Sequence, residues 1–179
     1  PTTVCSYPEC ILRSERAEYD AAGQLLKYKE GVGGSGEVLY DYDIRGRLIS
    51  FTEPNTGVYT LKWNALNDLQ EQRQQGAGTP YQLKTACSYD ATGRLVDLLF
   101  SDGVSVQSSD HYAYGTVPGQ IGLLASARRD NDGDGAFDAE DLYDYDNFGR
   151  FKKHDRVVGG ESFSIQLKYD GHGRVGTVE

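Results

Sequence analysis

Methionine is absent from this 179-residue sequence, tryptophan occurs once and proline five times. No apolar run comes near the roughly 18 to 20 residues that a bilayer-crossing helix needs. The longest, around Ile121–Ala125, has the length of a strand, which excludes a membrane-spanning helix and argues against membrane insertion. Positive charge is also scarce. Lys and Arg number 18 against 27 Asp and Glu, a net charge of −9, so the chain lacks the basic field that nucleic acid or an anionic membrane surface requires. The sequence begins at Pro1 and contains no Met. It therefore reads either as a mature product after signal removal or as a piece of a longer polypeptide, and both readings stand. Of only 3 Cys, Cys5 and Cys10 flank a Ser-Tyr-Pro-Glu loop. They either form a local disulfide, if the protein is exported, or remain thiols, with Cys87 left single.

Glycine and tyrosine are abundant, at 22 and 13 residues, a composition of turns and aromatic strands rather than packed helices. One phrase recurs. It reads YDAAGQL at Tyr19–Leu25, YDIRGRL at Tyr42–Leu48, YDATGRL at Tyr89–Leu95, YDNFGRF at Tyr145–Phe151 and YDGHGRV at Tyr169–Val175. Looser copies are WNALNDL at Trp63–Leu69 and YGTVPGQI at Tyr114–Ile121. The second residues fall at 20, 43, 64, 90, 115, 146 and 170, with spacings of 23, 21, 26, 25, 31 and 24. Such periodicity marks a repeat architecture.

As chemistry, the phrase is a β-hairpin corner. The aromatic ends one strand, Asp nucleates the turn through its side chain, and Gly three positions later takes the left-handed backbone that other residues resist. A three-residue loop of this kind sets the Asp opposite the residue after the Gly. That residue is Arg in four copies, which predicts the pairs Asp43–Arg47, Asp90–Arg94, Asp146–Arg150 and Asp170–Arg174, with Tyr42 facing Leu48 and Tyr89 facing Leu95. Between corners lie period-two runs such as VYTLKW at Val58–Trp63 and SFSIQLK at Ser162–Lys168, which read as strands. Far-side turns are predicted at GVGGSG (31–36), PNTG (54–57), GAGTP (76–80) and Gly159-Gly160. The segment Leu66–Gln75 has helical propensity but sits where the second strand of the third unit belongs, and is assigned strand. The expected fold is all-β: one module over 1–179, an antiparallel meander of about seven hairpins forming a curved sheet, partial shell or barrel.

The Tyr-Asp-x-x-Gly-Arg-Leu corner at this spacing resembles the YD repeat of Rhs proteins, of the shell components of insecticidal toxin complexes and of teneurins. The resemblance covers residues 19 to 175 and rests on five good copies. It implies an antiparallel ribbon with a noncatalytic encapsulating or scaffolding role. The sequence departs from the family in having few repeats and in lacking a C-terminal Pro- and Asp-containing core motif of the self-cleaving kind.

The longest interval holds DNDGDGAFDAED, Asp130–Asp141. Counted as a twelve-residue calcium loop, it places Asp130, Asp132 and Asp134 at positions 1, 3 and 5, Gly135 at 6, Ala136 at 7 with its carbonyl, Asp138 at 9 and Asp141 at 12. Crowded carboxylates repel one another, and a hard dication relieves that repulsion. The alternative is a solvated acidic loop. The flanks are not helical, so the loop resembles the isolated calcium loops of dockerins. Asp at position 12 is shorter than the usual Glu, which points to an affinity on the order of 10⁻⁴ to 10⁻³ M. The expected cofactor is one structural Ca²⁺, filled outside the cell or at its surface.

Other signals are weaker. GVGGSG fits a dinucleotide fingerprint in letters, but a strand follows where the helix should start. His111, His154 and His172 lie in different units, with no Ser or Cys in a recognisable nucleophile context. Tyr28, Tyr40, Tyr59, Tyr112 and Tyr143 either pack or form an exposed aromatic row for glycans. The sequence thus points to a noncatalytic exported structural module, with an adhesin or carbohydrate-binding module as the alternative. Its expected partners are copies of itself or neighbouring segments of a larger YD-repeat polypeptide, joined through exposed edge strands, with glycan as a possible ligand.

Overall fold

The computed structural model describes residues 2–6, 9–13, 15–30, 36–76 and 82–179. Most of the turns expected at 31–36 and 76–80, and the side chains of Cys5 and Cys10, lie outside them. The chain divides into two compact units, Pro1–Lys84 and Thr85–Glu179. In the first unit the strands are β1 (Thr2–Ser6), β2 (Glu9–Arg13), β3 (Glu15–Tyr19), β4 (Leu25–Glu30), β5 (Glu37–Tyr42), β6 (Leu48–Glu53), β7 (Gly57–Trp63) and β8 (Leu69–Gln75). Strand β9 (Gln82–Tyr89) leads into the second unit, with β10 (Leu95–Ser101), β11 (Val106–Tyr114), β12 (Leu124–Asp130), β13 (Ala139–Tyr145), β14 (Phe151–Val158), β15 (Glu161–Tyr169) and β16 (Val175–Val178). The described residues contain no helix. Strands β3 to β16 follow one another in chain order as an antiparallel meander. The order is open, so the barrel alternative does not apply. β1 and β2 pair as a separate hairpin that sets Cys5 opposite Cys10.

The helix-prone segment at Leu66–Gln75 is β8, as the repeat required. Its residues alternate against β7, with Thr60 opposite Arg73 and Lys62 opposite Glu71, so tertiary pairing overrides propensity. Alternation gives each unit two unlike faces. In the first unit Tyr40, Phe51, Tyr59 and Gln74 lie in one row across four strands. Lys27, Glu37, Lys62, Glu71 and Arg73 occupy the other side, where Glu71 bridges Lys62 at 2.8 Å, Arg73 at 2.7 Å and Lys84 at 3.1 Å. These cations, Lys62 first, hold the Glu71 carboxyl at about 2. In the second unit Tyr112, Ala127, Asp141, Arg156 and Phe163 form one row, and Asp97, His111, Arg128 and Glu140 lie on the opposite face.

Among the described residues no hydrophobic side chain is fully buried. A single layer of sheet has nothing to cover its apolar face. Order within the layer therefore rests on backbone ladders, cross-strand pairs and the corners.

Candidate functional site

The corners are the most regular sites in the molecule. At each of residues 20, 43, 64, 90, 146 and 170 the N–H donates to the carbonyl four residues on, at 2.9 Å, and the N–H of the fourth corner residue donates back to the first residue's carbonyl. The fourth residue carries a positive φ: 83° at Gly23, 80° at Gly46, 81° at Gly93, 76° at Gly149 and 80° at Gly173. The strand register slips by one beside the aromatic at each corner whose pairing is described, placing Tyr19 opposite Leu25, Tyr42 opposite Leu48, Tyr145 opposite Phe151 and Tyr169 opposite Val175. This is the bulged three-residue hairpin read from the sequence.

The Asp does two jobs. In the corner at 43, Oδ1 accepts the N–H of Arg45 at 2.8 Å and of Arg47 at 3.0 Å, while Oδ2 takes Arg47 Nε at 2.7 Å. The same set recurs at Asp90, Asp146 and Asp170. All four expected Asp–Arg pairs form. Arg47 holds Asp43 below the usual carboxylate range, and the Thr92 hydroxyl, with Arg94, does so at Asp90. The loose copy at Trp63 keeps the geometry with other atoms: Asn67 takes the glycine's place at φ 74°, and Asn64 Nδ2 donates to Asp68 Oδ2 at 2.8 Å. Asn is the residue other than Gly that best tolerates this conformation.

Five of the corners, those at 43, 64, 115, 146 and 170, are also fastened to the one before, a feature the sequence reading missed. The hydroxyl of Tyr42 donates to the Leu25 carbonyl at 3.0 Å, Trp63 Nε1 to Leu48 at 2.7 Å, Tyr114 to Leu95 at 2.9 Å, Tyr145 to Leu124 at 2.9 Å and Tyr169 to Phe151 at 2.6 Å. In every case the acceptor is the residue that closes the preceding corner. The residue after the glycine reaches forward in return. Arg94 lies 4.3 Å over the Tyr114 ring and Arg150 4.2 Å over Tyr169, Arg47 donates to the Asn64 carbonyl at 2.8 Å, and Gln24 donates to the Gly46 carbonyl at 3.1 Å. Glycine is required here by its positive φ; a Cβ on Gly46 would meet only the movable end of the Gln24 side chain, at 2.9 Å, and one on Gly173 that of Arg150, at 2.9 Å. The signal was present in the invariant aromatic with a hydrogen-bond donor, because Tyr and Trp supply that donor where Phe does not.

The loosest copy departs from the pattern. Tyr114 pairs with Leu124 rather than closing at Ile121, and the intervening loop makes two turns, with Gly115 donating to the Leu123 carbonyl and Gly122 to Gly115. Gln120 reaches forward to the Tyr145 carbonyl at 3.0 Å, in the role of the corner Arg.

In the acidic segment, Asp130, Asp132 and Asp138 bring carboxylate oxygens within 4.8 Å of one another, the one such acidic group among the described residues. Asp130 is 3% exposed. Its Oδ1 accepts the N–H groups of Asp132 and Gly133, and its Oδ2 that of Gly135 at 2.9 Å. Burial pushes its pKa up, but these donors outweigh burial and hold it down. Gly133 (φ 74°) packs so close to the Val106 carbonyl that a Cβ would lie 2.2 Å from that oxygen. Asp134 accepts the Ala136 N–H at 2.7 Å and, like Ala136, stands outside the three-carboxylate group. Asp141 stands farther off. Asp138 N–H already closes the hairpin onto the Arg129 carbonyl at 2.8 Å, so Asp141 lies up strand β13, opposite Ala127. There it meets His154 Nε2 at 2.6 Å, on the sheet face opposite to Asp130.

The histidines have partners that spacing did not show. His111 Nδ1 meets Asp97 Oδ1 at 2.6 Å, and its Nε2 lies 3.2 Å from Ser109 Oγ, a Ser neighbour that the sequence spacing did not reveal. The cause is strand alternation, which puts residues 109 and 111 on one face, with Asp97 opposite in β10. The order of groups is that of a hydrolase relay, but Ser109 is 5% exposed, and a nucleophile must reach its substrate. His154 stacks on Tyr143 at 4.8 Å. His172 is a turn residue of the last corner. Of the aromatic row, Tyr40, Phe51 and Tyr59 stack on one another, with Phe51 and Tyr59 at 4.2 Å and 6°. Phe51 and Tyr59 thereby cover one face of each other.

No family model matches the sequence, and no curated protein matches it. Among solved structures, the chain is similar to the "Crystal Structure of TcdB2-TccC3" (15% identity, TM-score 0.69) and to that of "TcdB2-TccC3-Cdc42" (16% identity, TM-score 0.68). Each alignment covers 90% of this chain and 9% of the other, so the chain spans about a tenth of those it resembles. The likeness is one of fold alone, and it supports the YD-repeat type of fold that the corners predicted.

Proposed function

We propose that this chain is a noncatalytic structural module: a stretch of wall or scaffold in a larger YD-repeat assembly, working outside the cell, with the acidic loop held by one Ca²⁺. The observation that carries the reading is the run of corners fastened to the one before within each unit, on sheets that bury no hydrophobic side chain among the described residues. Such units gain order by adding neighbours of their own kind rather than by enclosing a ligand. The fold likeness to toxin-complex chains supports it.

Calcium would be taken by Asp130, Asp132 and Asp138, with Asp134 and the Ala136 carbonyl available nearby on the same loop. The ion would balance carboxylates that otherwise repel. Asp141, engaged by His154, is the weakest member of the expected set. With an affinity on the order of 10⁻⁴ to 10⁻³ M, about 10 mM Ca²⁺ stabilises the folded chain by roughly 1.4 to 2.7 kcal/mol. Melting curves in calcium and in chelator test this. Calcium is expected to raise the Tm of the wild type and to leave that of an Asp130→Asn, Asp132→Asn double variant unmoved. Equal Tm values for wild type in both buffers would refute the metal site. Electron microscopy of the purified protein under the same two conditions tests the scaffold role. Ordered assemblies are expected in calcium, and monodisperse single chains throughout would contradict it.

A further inference from the structure

Four junctions between successive hairpins have one register. Lys27 pairs with Leu39, Ser50 with Thr60, Ser126 with Leu142 and Lys153 with Gln166. In each, the residue two positions after the corner-closing residue (Leu25, Leu48, Leu124, Phe151) stands opposite the residue three positions before the next corner's aromatic (Tyr42, Trp63, Tyr145, Tyr169). The same junctions carry the aromatic-to-carbonyl bond described above.

The first and last strands of the meander each display half of that junction. Tyr19 is 61% exposed, and its hydroxyl has no partner among the described residues. At the other end Arg174 is held by Asp170 at 2.8 Å, yet its side chain is 76% exposed, against 22% for Arg47 and 34% for both Arg94 and Arg150, which reach the following corner. Val175, the residue that closes the last corner, is also exposed. β3 precedes a corner and β16 follows one, so their directions suit the antiparallel pairing seen at the four internal junctions above.

We infer that β16 of one copy of this chain pairs with β3 of a second copy, in the register of the internal junctions. Thr177 then stands opposite Arg16 of the second copy, and Val178 opposite its Glu15. The Tyr19 hydroxyl of the second copy donates to the Val175 carbonyl, and Arg174 covers the Tyr19 ring. The contact is head-to-tail, so it propagates rather than stopping at a dimer. This rests on the scaffold reading and specifies its partner surface.

Cysteine cross-linking tests it. On a Cys5→Ser, Cys10→Ser, Cys87→Ser background, full-length Arg16→Cys and Thr177→Cys chains are mixed under mild oxidation, and covalent dimer is read on a non-reducing gel. Directly opposed strand residues lie within disulfide reach. The mixture is expected to cross-link several-fold faster than Arg16→Cys with Gly176→Cys, where the added thiol points to the other face. Adding Tyr19→Phe to the first chain, or Arg174→Ala to the second, is expected to slow the reaction about 2- to 10-fold, the worth of one polar contact. Equal rates for the in-register and out-of-register mixtures overturn the inference. So does the absence of dimer, and so does a doubly substituted Arg16→Cys, Thr177→Cys chain that closes only on itself. If ordered assemblies persist by microscopy without register-specific cross-links, this pairing falls and the scaffold reading stands. If neither is seen, both fall.

Discussion

Replacing Tyr145 by Phe removes one oxygen and leaves the ring. That oxygen donates to the Leu124 carbonyl at 2.9 Å, the bond that fastens the corner at 146 to the loop before it, while the ring meets Phe151 edge-on at 6.3 Å. The ring contact survives the change, so the loss is confined to the hydrogen bond and to a carbonyl left half-satisfied. A neutral hydrogen bond contributes about 1 kcal/mol net. For a unit the size of Thr85–Glu179 that lowers the Tm by about 4 to 8 °C. The matched control is Tyr19→Phe, whose hydroxyl has no partner among the described residues and whose loss is expected to move stability by less than about 0.5 kcal/mol, as at an ordinary surface position. Urea unfolding followed by circular dichroism gives both values. If Tyr145→Phe and Tyr19→Phe have the same midpoint, the aromatic donor does not fasten successive corners, and the physical account of the repeat is wrong.

Acid should expose the charged face of the first unit. Glu71, held at about 2 chiefly by Lys62, has a folded pKa below its unfolded value near 4.5. Its contribution is therefore present above pH 4.5 and lost as pH falls toward 2. Because its partners are partly exposed, the effect is about 1 to 2 kcal/mol. A Glu71→Gln chain should show a flatter stability profile between pH 4.5 and 2, and an unchanged slope would count against the cluster. Alkali acts on the second unit, since burial raises the pKa of Tyr112, Tyr143 and Tyr145. The folded chain keeps protons that the unfolded chain loses near pH 10, so the urea midpoint should fall as pH rises past 10; a constant midpoint would refute those environments. Gly133→Ala forces a Cβ onto the Val106 carbonyl and should lower the Tm, whereas Gly171→Ala, whose Cβ meets nothing within 4 Å, should not. Equal losses would show that the loop does not pack as described.

The corners were legible because their causes are local. An Asp, a Gly three residues later and an Arg after it fix five backbone and side-chain bonds without help from distant residues. Even WNALNDL conformed, with Asn67 in the position of the glycine. Legibility failed where two glycines competed for a turn, as at Gly119 and Gly122, and spacing alone put the closing residue at Ile121 instead of Leu124. It failed in part at the acidic loop too. Ligand spacing assumes that the backbone keeps curling to position 12, but a hairpin closed at Asp138 carries Asp141 up a strand and onto the other face. The fastening of one corner to the next, and the approach of His111 to Ser109 and Asp97, depend on strand register, which no single repeat copy reveals.

Nuclear Overhauser effects between strands test the central claim most directly, since the repeat either fixes a single junction register or does not. Cross-strand contacts are predicted at all four pairs, Lys27 with Leu39, Ser50 with Thr60, Ser126 with Leu142 and Lys153 with Gln166. Contacts displaced by one residue at any of these junctions, or missing from them, would contradict it.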